Sequence, residues 1–375
     1  KTYLESITNK FKNLKSSEFY FIFFQSPFPN FKNTKLIFTL VNHILFQIWK
    51  QILLPSKIIL NKCDLLFCTD YFVPLFHYRY KSVQVIHDAF FAEYPKHYNK
   101  YWLYIYKFFS LPGVYKSSFI ITPTEYSKSR ILKYYELPTN KIFVISEGPK
   151  LFIKDNLEEI NNNFSFIVDN CKYFLHVGVF EKRKNLLFLI KTFSEFIKNN
   201  KSNYKLILVG KGTGRKESDD TTNILCLINE LNLHDHIVLT GYLNDDDLKV
   251  IYINTFAYIF PSYNEGFGLP ILEAFYFNIP ILISDNSCLP EVGGDAALTF
   301  NPYDQEDLLN KMNEIISSLD LIKLQFTKFY NKFTTNDLIA IKYYKGFGSL
   351  FQTELLTNED KIREISAQHG DIVSD

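Results

Sequence analysis

The sequence is poor in cysteine, and the few cysteines that it has are not paired by spacing. Its 375 residues contain five: Cys63, Cys68, Cys171, Cys226 and Cys288. The number is odd and no Cys-x-x-Cys occurs, so neither a disulfide framework nor a cysteine-based zinc site is indicated. We therefore expect a reducing, cytoplasmic setting.

Long apolar runs without polar residues are also missing. The most apolar window, 36–54, contains Asn42, His43, Gln47 and Lys50. A membrane-spanning helix of about 20 residues rarely tolerates four such side chains together, so we predict a core helix here. Segment 94–109 interleaves aromatic residues with lysines, which is typical of interfacial helices and also of aromatic core helices.

Neither sign of charge dominates the whole chain, whose net charge is +1, but the two halves differ. Residues 1–150 contain 20 Lys and Arg against 9 Asp and Glu, and the remaining residues contain 21 against 31. This distribution favours one domain that meets an anionic partner, although related halves can also drift apart in charge. No motif that reads nucleic acid accompanies the charge, so we expect an anionic membrane surface or a diphosphate-linked lipid instead.

Apolar runs of strand length alternate with helical patterns in the second half. We predict strands at Tyr173–Val177, Lys205–Val209, Ile237–Thr240, Phe256–Phe260 and Ile279–Ser284. The predicted helices are Asn185–Ile197, Asn223–Leu231, Asp246–Ile253 and Asp304–Ile316. This alternation is typical of an α/β domain with a parallel sheet covered on both faces, as in Rossmann-like folds.

The first half repeats this pattern less clearly. Its predicted strands are Phe19–Phe24, Leu65–Cys68, Val83–Ile86, Phe119–Thr122 and Phe143–Ile145. A polar stretch that begins at Glu147 marks the boundary. We divide the chain into an N-terminal Rossmann-like domain, a linker, a C-terminal Rossmann-like domain, and a helix with a tail, at 1–148, 149–168, 169–334 and 335–375. Two such domains that face each other form a cleft at the carboxyl ends of their strands.

The most informative segment runs from Glu265 to Glu273 and has the sequence EGFGLPILE. It follows a predicted strand, and Pro270 suits the first position of a helix. Gly266 and Gly268 let the backbone approach a ligand closely, and the N–H groups of a helix start favour an anion. We predict that Glu273 lies in the first helical turn and that both carboxylates face one crevice. An ordinary turn followed by a helix-stabilising glutamate is the alternative.

Two further groups of residues are candidates. The loop that opens at Gly178 has the sequence GVFEKRKN, and it places Arg183 and Lys184 at a predicted helix start, where cations suit phosphate binding. Solvated loop charges are the alternative for this pair. In the first half His87 and Asp88 follow a predicted strand, where a histidine is either structural or part of a site.

These segments, and their order along the chain, resemble the retaining glycosyltransferases of family 4, which have the GT-B fold. The likeness rests on GVFEKRKN, on EGFGLPILE, and on LVGKG, TGYL, PEVGGDAA, TPTEYSK and the His-Asp pair. It covers roughly residues 35–335 and is more specific than any single motif. Within this family the chain resembles mannosyl- and rhamnosyltransferases of bacterial surface-polysaccharide assembly.

The resemblance implies roles in binding the donor's phosphates and ribose. Lys184 matches the family's diphosphate-binding lysine, with Arg183 as a supporting cation in the loop that opens at Gly178. Leu269 lies where a main-chain N–H meets phosphate. Glu273 matches the glutamate that accepts hydrogen bonds from the ribose hydroxyls.

The resemblance also implies how the sugar and the base are held. His87 matches the first-domain histidine that faces the transferred sugar, and the base is expected near Tyr242 and Leu243. Glu265 matches the group that binds the sugar hydroxyls, together with the backbone at Gly266, Phe267 and Gly268. No side chain is assigned as a nucleophile, because the family's expected route is front-face attack, in which the leaving phosphate helps to deprotonate the acceptor.

Two other patterns are set aside. Residues 245–247, all aspartate, satisfy the Asp-x-Asp pattern of a manganese-dependent glycosyltransferase fold, but helix capping explains their position. We predict no metal and no cofactor. The glycines from Gly210 to Gly214 imitate a dinucleotide-binding loop, but they follow the second strand of their domain, and Glu230 falls inside a helical pattern, which disfavours a dehydrogenase.

The chain departs from the family at both ends. It opens inside a predicted helix, Tyr3–Leu14, without the family's first strand and glycine loop, and it lacks a tryptophan near Asn336, ahead of the expected crossing helix at Asp337–Phe347. We expect a metal-independent hexosyltransferase that uses a nucleotide sugar such as GDP-mannose and a glycan or lipid-linked acceptor, peripheral on the cytoplasmic membrane face. A non-catalytic relative that binds sugar or nucleotide, and a protein whose main role is membrane binding, are the alternatives.

Overall fold

The computed structural model describes a defined part of the chain: residues 21–29, 31, 36–76, 79–98, 100–148, 171–200, 204–215 and 217–330, with side chains up to residue 318. Three predicted features lie outside these residues. They are the helix at Tyr3–Leu14, the linker at 149–168 and the crossing helix at Asp337–Phe347.

A parallel four-stranded sheet forms the centre of the first half. Its strands lie side by side in chain order: β1 (Leu65–Cys68), β2 (Lys81–Val85), β3 (Phe119–Thr122) and β4 (Ile142–Val144). These four predicted strands are confirmed to within two residues at each end. The strand predicted at Phe19–Phe24 is wrong over its described part, because residues 21–24 have no strand pairing.

Helices connect these strands, and two of the helical segments contain a π-helical turn. The first is α1 (Leu36–Ile48), which continues through a π turn (Trp49–Leu53) into α2 (Leu54–Leu60). Between β2 and β3 lie α3 (Phe90–Glu93), a 3₁₀ turn (Pro95–His97), α4 (Lys100–Ile105), a π turn (Tyr106–Ser110) and α5 (Leu111–Lys116). Between β3 and β4 lie α6 (Glu125–Tyr135) and a 3₁₀ turn (Thr139–Lys141).

The prediction of a core helix over 36–54 is wrong for one face of this helix. The inner face is buried through Trp49, Leu54 and Ile58, which belong to the same apolar cluster as the first strand. The outer face exposes a row of apolar side chains: Ile37, Leu40, Ile44, Ile52 and Leu60. Only 17% of the apolar window within Ile37–Leu60 is buried, and the helix has the length and composition of a membrane span, a test that some core helices also pass.

A parallel six-stranded sheet forms the second half, with the strands in the order β10-β9-β8-β5-β6-β7. The strands are β5 (Lys172–Val177), β6 (Tyr204–Val209), β7 (Ile237–Gly241), β8 (Ala257–Phe260), β9 (Ile281–Ser284) and β10 (Ala297–Phe300). The five predicted strands are confirmed to within two residues. The strand β10 was not predicted, because it is short and only Phe300 of its four residues is buried.

Helices follow the strands of this sheet. They are α7 (Leu186–Asn199), α8 (Thr221–Glu230), α9 (Asp245–Ile253), α10 (Leu269–Tyr276), α11 (Leu289–Gly293) and α12 (Gln305–Tyr330), with 3₁₀ turns at Lys182–Lys184 and Gly294–Ala296. The four predicted helices are confirmed, but α12 continues beyond its predicted end through a kink at Ser318.

Alternate side chains of the second sheet enter two separate cores. Phe174 and Ile259 pack into one, whereas their chain neighbours Tyr173 and Tyr258 pack into the other. Successive strand residues point to opposite faces, so helices on both faces bury the sheet completely at β8. The strands β5 and β8 are direct neighbours in the middle of this sheet. The loops that leave their carboxyl ends therefore start side by side.

Candidate active site

Two loops of the second sheet meet around one carboxylate. The loop after β5 carries Arg183 and Lys184, and the loop after β8 carries Glu265. Lys184 Nζ lies 2.6 Å from Glu265 Oε1, and Arg183 Nη1 lies 2.7 Å from Glu265 Oε2. Each carboxylate oxygen therefore has its own cation. The structure thus brings together three residues that were predicted from two separate segments of the sequence.

This ion-pair cluster is largely withdrawn from water. Glu265 and Lys184 are each 7% exposed. Burial alone would raise the pKa of Glu265, but the attraction of Arg183 and Lys184 outweighs it and lowers that pKa to about 2. Burial lowers the pKa of Lys184, and the attraction of Glu265 opposes this effect. The cluster is therefore an ionised carboxylate between two cations, held where an unpaired charge would be costly.

A buried histidine that was not predicted lies beneath the basic loop. His176, in β5, has Nδ1 3.0 Å from the carbonyl oxygen of Ile259. A carbonyl only accepts, so Nδ1 carries the proton and Nε2 presents a lone pair. Burial, with the repulsion of Lys184, lowers the pKa of His176 to about 3, and Nε2 is buried without a hydrogen-bond partner in the described chain. A methyl group at Gly178 would lie 3.2 Å from this nitrogen.

The two glycines of the Glu265 loop are needed for different reasons. Gly268 caps the start of α10 with φ +99°, in the region that other residues avoid. Gly266 meets the first half of the chain, because a methyl group there would lie 2.7 Å from the backbone oxygen of His87. Any larger residue at 266 would push against backbone rather than against a flexible side chain.

Hydroxyl groups from the first half hold the same loop. The carbonyl oxygen of Gly266 accepts a hydrogen bond from Thr124 Oγ1 at 3.1 Å. Ser127 Oγ lies 2.8 Å from this carbonyl oxygen and 2.9 Å from that of His87, so its single proton lies between the two. Both hydroxyls come from the start of α6. The loop with Glu265 is thus fixed by both halves.

A carboxylate from the second half binds the start of α6. Glu291, in α11, accepts hydrogen bonds from the backbone N–H groups of Glu125 at 2.8 Å and Tyr126 at 3.1 Å. The positive end of the helix dipole favours a carboxylate at this position. The hydroxyl of Tyr126 also donates to Asn264 Oδ1 at 3.1 Å. These contacts extend the interface between the two halves beyond the glycine loop.

His87 follows β2 and has an acidic partner that was not predicted as part of the site. Its Nδ1 lies 2.7 Å from Glu147 Oε1; the histidine side chain is 32% exposed and the glutamate side chain 5%. Burial lowers the pKa of His87, but the hydrogen bond and charge of Glu147, helped by Asp88, outweigh it and raise the pKa. Glu147 was assigned to the start of the polar boundary stretch, where its burial could not be foreseen.

Glu273 lies one residue deeper in its helix than predicted. The helix α10 begins at Leu269, directly after the left-handed Gly268, so Glu273 falls beyond the first turn. Its Oε2 accepts a hydrogen bond from the hydroxyl of Tyr252 at 2.8 Å. Burial raises the pKa of Tyr258 in β8, and both Glu273 and Glu265 raise it further, so the two carboxylates act on the same phenol.

The other predicted residues have separate surroundings. Tyr242 is 75% exposed, and Lys211 Nζ lies 5.9 Å from the centre of its ring. Leu243 is partly buried against the apolar core that also contains Phe267. A role of Tyr242 and Leu243 beside a base stays a prediction.

The thiol of Cys288 lies 3.1 Å and 3.3 Å from the carbonyl oxygens of Glu265 and Phe267. These two contacts support the glycine loop.

No group of three or more histidine, cysteine, aspartate and glutamate side chains suited to a metal ion occurs among the residues that the structure describes. The aspartates at 245–247 lie in the first turn of α9. There the side chain of Asn244 accepts a hydrogen bond from the backbone N–H of Asp247 at 2.9 Å. The cap is therefore Asn244, and the aspartates lie in the first turn, where the helix dipole favours negative charge.

Sequence comparisons point to one family. Residues 158–326 match the family model for glycosyl transferases group 1. The chain is 30% identical over 187 residues to the O-antigen chain mannosyltransferase B of Escherichia coli, which is 49% of this chain and 48% of that protein. It is 28% identical over 246 residues to the O-antigen chain mannosyltransferase RfbU of Salmonella typhimurium, which is 64% and 62%. The match therefore spans about half to three fifths of the length of these relatives.

Structural comparisons define the fold. The sucrose-phosphate synthase of Thermosynechococcus elongatus superposes with a TM-score of 0.64 at 16% identity, over 87% of this chain and 82% of that one. Anabaena HepE in complex with UDP and glucose superposes with a TM-score of 0.63 at 16% identity, over 83% and 89%. The α/β architecture predicted from the sequence is confirmed: this chain has the GT-B fold, with two Rossmann-like domains.

Replacing Glu265 by glutamine tests the ion-pair cluster. Lys184 would then be buried beside a neutral amide, and removing one partner of a buried pair costs about 3–5 kcal/mol. We expect the free energy of unfolding, measured by urea denaturation at pH 7, to fall by about 3 kcal/mol. The matched control is Glu195→Gln, which removes an exposed pair with Lys198 and should cost less than about 0.5 kcal/mol. An equal loss in the two variants would contradict the cluster.

The lowered pKa of Glu265 determines how the free energy of unfolding changes with pH. The pKa of Glu265 falls from its ordinary 4.5 to about 2 on folding, so its stabilisation is complete above pH 4.5 and is lost as pH falls toward 2. The free energy of unfolding should therefore decline more steeply over this window in the unmodified protein than in Glu265→Gln. Parallel declines would contradict the lowered pKa.

Proposed function

We propose that this chain is a retaining hexosyltransferase, which moves a hexose from a nucleotide sugar to a glycan or lipid-linked glycan acceptor in surface-polysaccharide synthesis. The observation that carries the proposal is the arrangement of Arg183 and Lys184 around Glu265, at the face where the two domains of a GT-B fold meet. The names of the relatives favour mannose as the sugar, hence GDP-mannose as the donor.

When the donor binds, its diphosphate would replace the Glu265 carboxylate as the anion beside the two cations. As the bond between sugar and diphosphate breaks, negative charge grows on the leaving phosphate, and fixed cations stabilise it. Both cations are already in place around Glu265, where Lys184 is buried and Arg183 is partly exposed. When the diphosphate takes over these cations, the carboxylate of Glu265 is released to accept hydrogen bonds from the sugar hydroxyls.

The remaining groups would bind the rest of the donor. Glu273, oriented by Tyr252, would accept hydrogen bonds from the ribose, and Tyr242 with Leu243 would flank the base. His87 would face the transferred sugar from the first domain. Two cations also supply the charge that a metal ion supplies in other folds, so the proposed reaction needs no metal.

Retention of configuration would follow from attack on the face that the diphosphate leaves. The acceptor oxygen forms a bond to the anomeric carbon while the bond from that carbon to the phosphate oxygen breaks. The acceptor proton passes to the departing phosphate, so the nucleoside diphosphate leaves with the electron pair. No protein nucleophile is required, and Glu265, engaged with the sugar hydroxyls, is not assigned as one.

Replacing Lys184 by alanine tests this proposal. Removing one donor to a developing oxyanion costs about 100-fold or more in turnover, so release of GDP from GDP-mannose should fall by about that factor. Glu273→Ala should instead weaken donor affinity, measured by calorimetry. The control Lys191→Ala changes an exposed lysine of α7 and should match the unmodified protein. Undiminished release in Lys184→Ala would contradict the assignment, and donor binding without release by the unmodified protein would favour the non-catalytic alternative.

We also infer that the outer face of Leu36–Leu60 rests on an anionic membrane surface, close to a lipid-linked acceptor. The inner face of this helix is part of the domain core, so the helix would lie on the membrane rather than cross it. Exposed aromatic residues of the 94–109 segment add to the surface of the same domain, next to lysines: Tyr101, Tyr104 and Phe108, with Lys100 and Lys107. The positive charge of the first half matches anionic lipid.

Co-sedimentation with vesicles of phosphatidylglycerol and phosphatidylcholine tests the membrane surface. Leu40→Glu combined with Ile44→Glu places two charges on the exposed apolar face and should weaken binding by about tenfold or more. Leu225→Glu, at an equally exposed leucine of the second domain, should leave binding unchanged. Binding that resists both the double change and added salt would rule out this surface.

A further inference from the structure

We infer that Glu147 is a positioning residue, which holds the imidazole of His87 at the edge of the first sheet where the two domains meet. The inference rests on the proposed function for what His87 faces, but the pair itself is independent of it. No sequence motif marked Glu147, and the proposed reaction has not used it so far.

The backbone fixes both partners at one edge of the same sheet. His87 follows β2 and Glu147 follows β4, with β3 between them, so both lie at the carboxyl edge of one parallel sheet. Ile86 N–H donates to Ile121 O at 2.8 Å, and Ile145 N–H donates to Thr122 O at 2.9 Å. Each side chain therefore starts close to backbone that is hydrogen-bonded to β3. His87 Nδ1 and Glu147 Oε1 lie 2.7 Å apart.

The two side chains of the pair differ in exposure, and this difference indicates which one supports the other. The Glu147 side chain is 5% exposed, whereas that of His87 is 32% exposed. A buried carboxylate needs a compensating charge, and His87 is the cation that the structure places beside it. Glu147 is thus the inner support, and the imidazole is the part that reaches the domain surface. The backbone oxygen of His87 adjoins the Gly266 loop, so the pair lies next to the candidate sugar site.

Of the described residues near His87 other than Glu147, Asp88 also raises the pKa of the imidazole. Asp88 is the second carboxylate beside it and accepts hydrogen bonds from the hydroxyl of Tyr71 and the N–H of Phe90. Arg183 reaches across from the second domain and attracts Asp88. Glu147 therefore provides the direct ionic contact that favours the protonated imidazole. In the proposed reaction the imidazole held in this way would face a hydroxyl of the transferred sugar.

The direct test is the titration of His87 by NMR of imidazole-labelled full-length protein, with His87→Gln to assign the signal. We expect a midpoint above the ordinary 6.5 in the unmodified protein. In Glu147→Gln the midpoint should fall by about one unit or more. Glu136→Gln, an exposed glutamate of the same domain, should leave it unchanged. An unchanged midpoint in Glu147→Gln would overturn the pair. If Glu147→Gln fails to fold, a midpoint at or below 6.5 in the unmodified protein would overturn the pair instead.

Kinetics separate a positioning role from a merely structural one. With GDP-mannose as donor, Glu147→Gln should lower kcat about tenfold with little change in KM, and should move the alkaline limb of the kcat profile to lower pH. Glu147→Asp should restore part of the rate, because it restores the charge. A shifted NMR midpoint with unchanged kinetics would overturn the positioning role. Absence of any transfer by the unmodified protein would contradict the proposed function instead, and the titration would still decide whether the pair exists.

Discussion

A single buried carboxylate, held between two cations, connects the parts of the candidate site. Glu265 can be ionised at 7% exposure only because Arg183 and Lys184 lie against its two oxygens. The cations in turn need the carboxylate, since Lys184 is equally buried. This mutual dependence requires β5 and β8 to be neighbours, because their loops supply the opposite charges. In the proposed reaction it would also prepare the site for a diphosphate, because both cations are held in place before the ligand arrives.

The contact between the domains is built on the same loop. Thr124 and Ser127 hold the carbonyl of Gly266, one residue after Glu265, and Glu291 binds the start of α6 from the opposite side. These hydrogen bonds make the position of the loop with Glu265 depend on how the halves meet. Any opening of the domains would therefore release this loop and change the surroundings of Glu265, so in the proposed function domain movement would be linked to donor binding by a short chain of contacts.

Much of the fold was predictable, because buried parallel strands leave mostly apolar runs, and nine of the ten strands among the described residues were predicted from such runs. The edge strand β10 was missed because it buries one residue only. The helix at Leu36–Leu60 was misassigned because the sequence does not say which side of an apolar helix meets the core. In the site, Glu265, Arg183 and Lys184 were each predicted from motifs, but their ion pairs were not. His176 and Glu147 were not predicted, since the burial of one polar side chain at a strand depends on contacts distant in sequence.

The measurement that tests the central claim most directly is a crystal structure of this chain with a nucleotide sugar bound. The account predicts diphosphate oxygens within hydrogen-bond distance of the Arg183 guanidinium and of Lys184 Nζ, and the Glu265 carboxylate turned from Lys184 to a hydroxyl of the sugar. A ligand bound elsewhere, with the 2.6 Å contact between Lys184 and Glu265 intact, would contradict it.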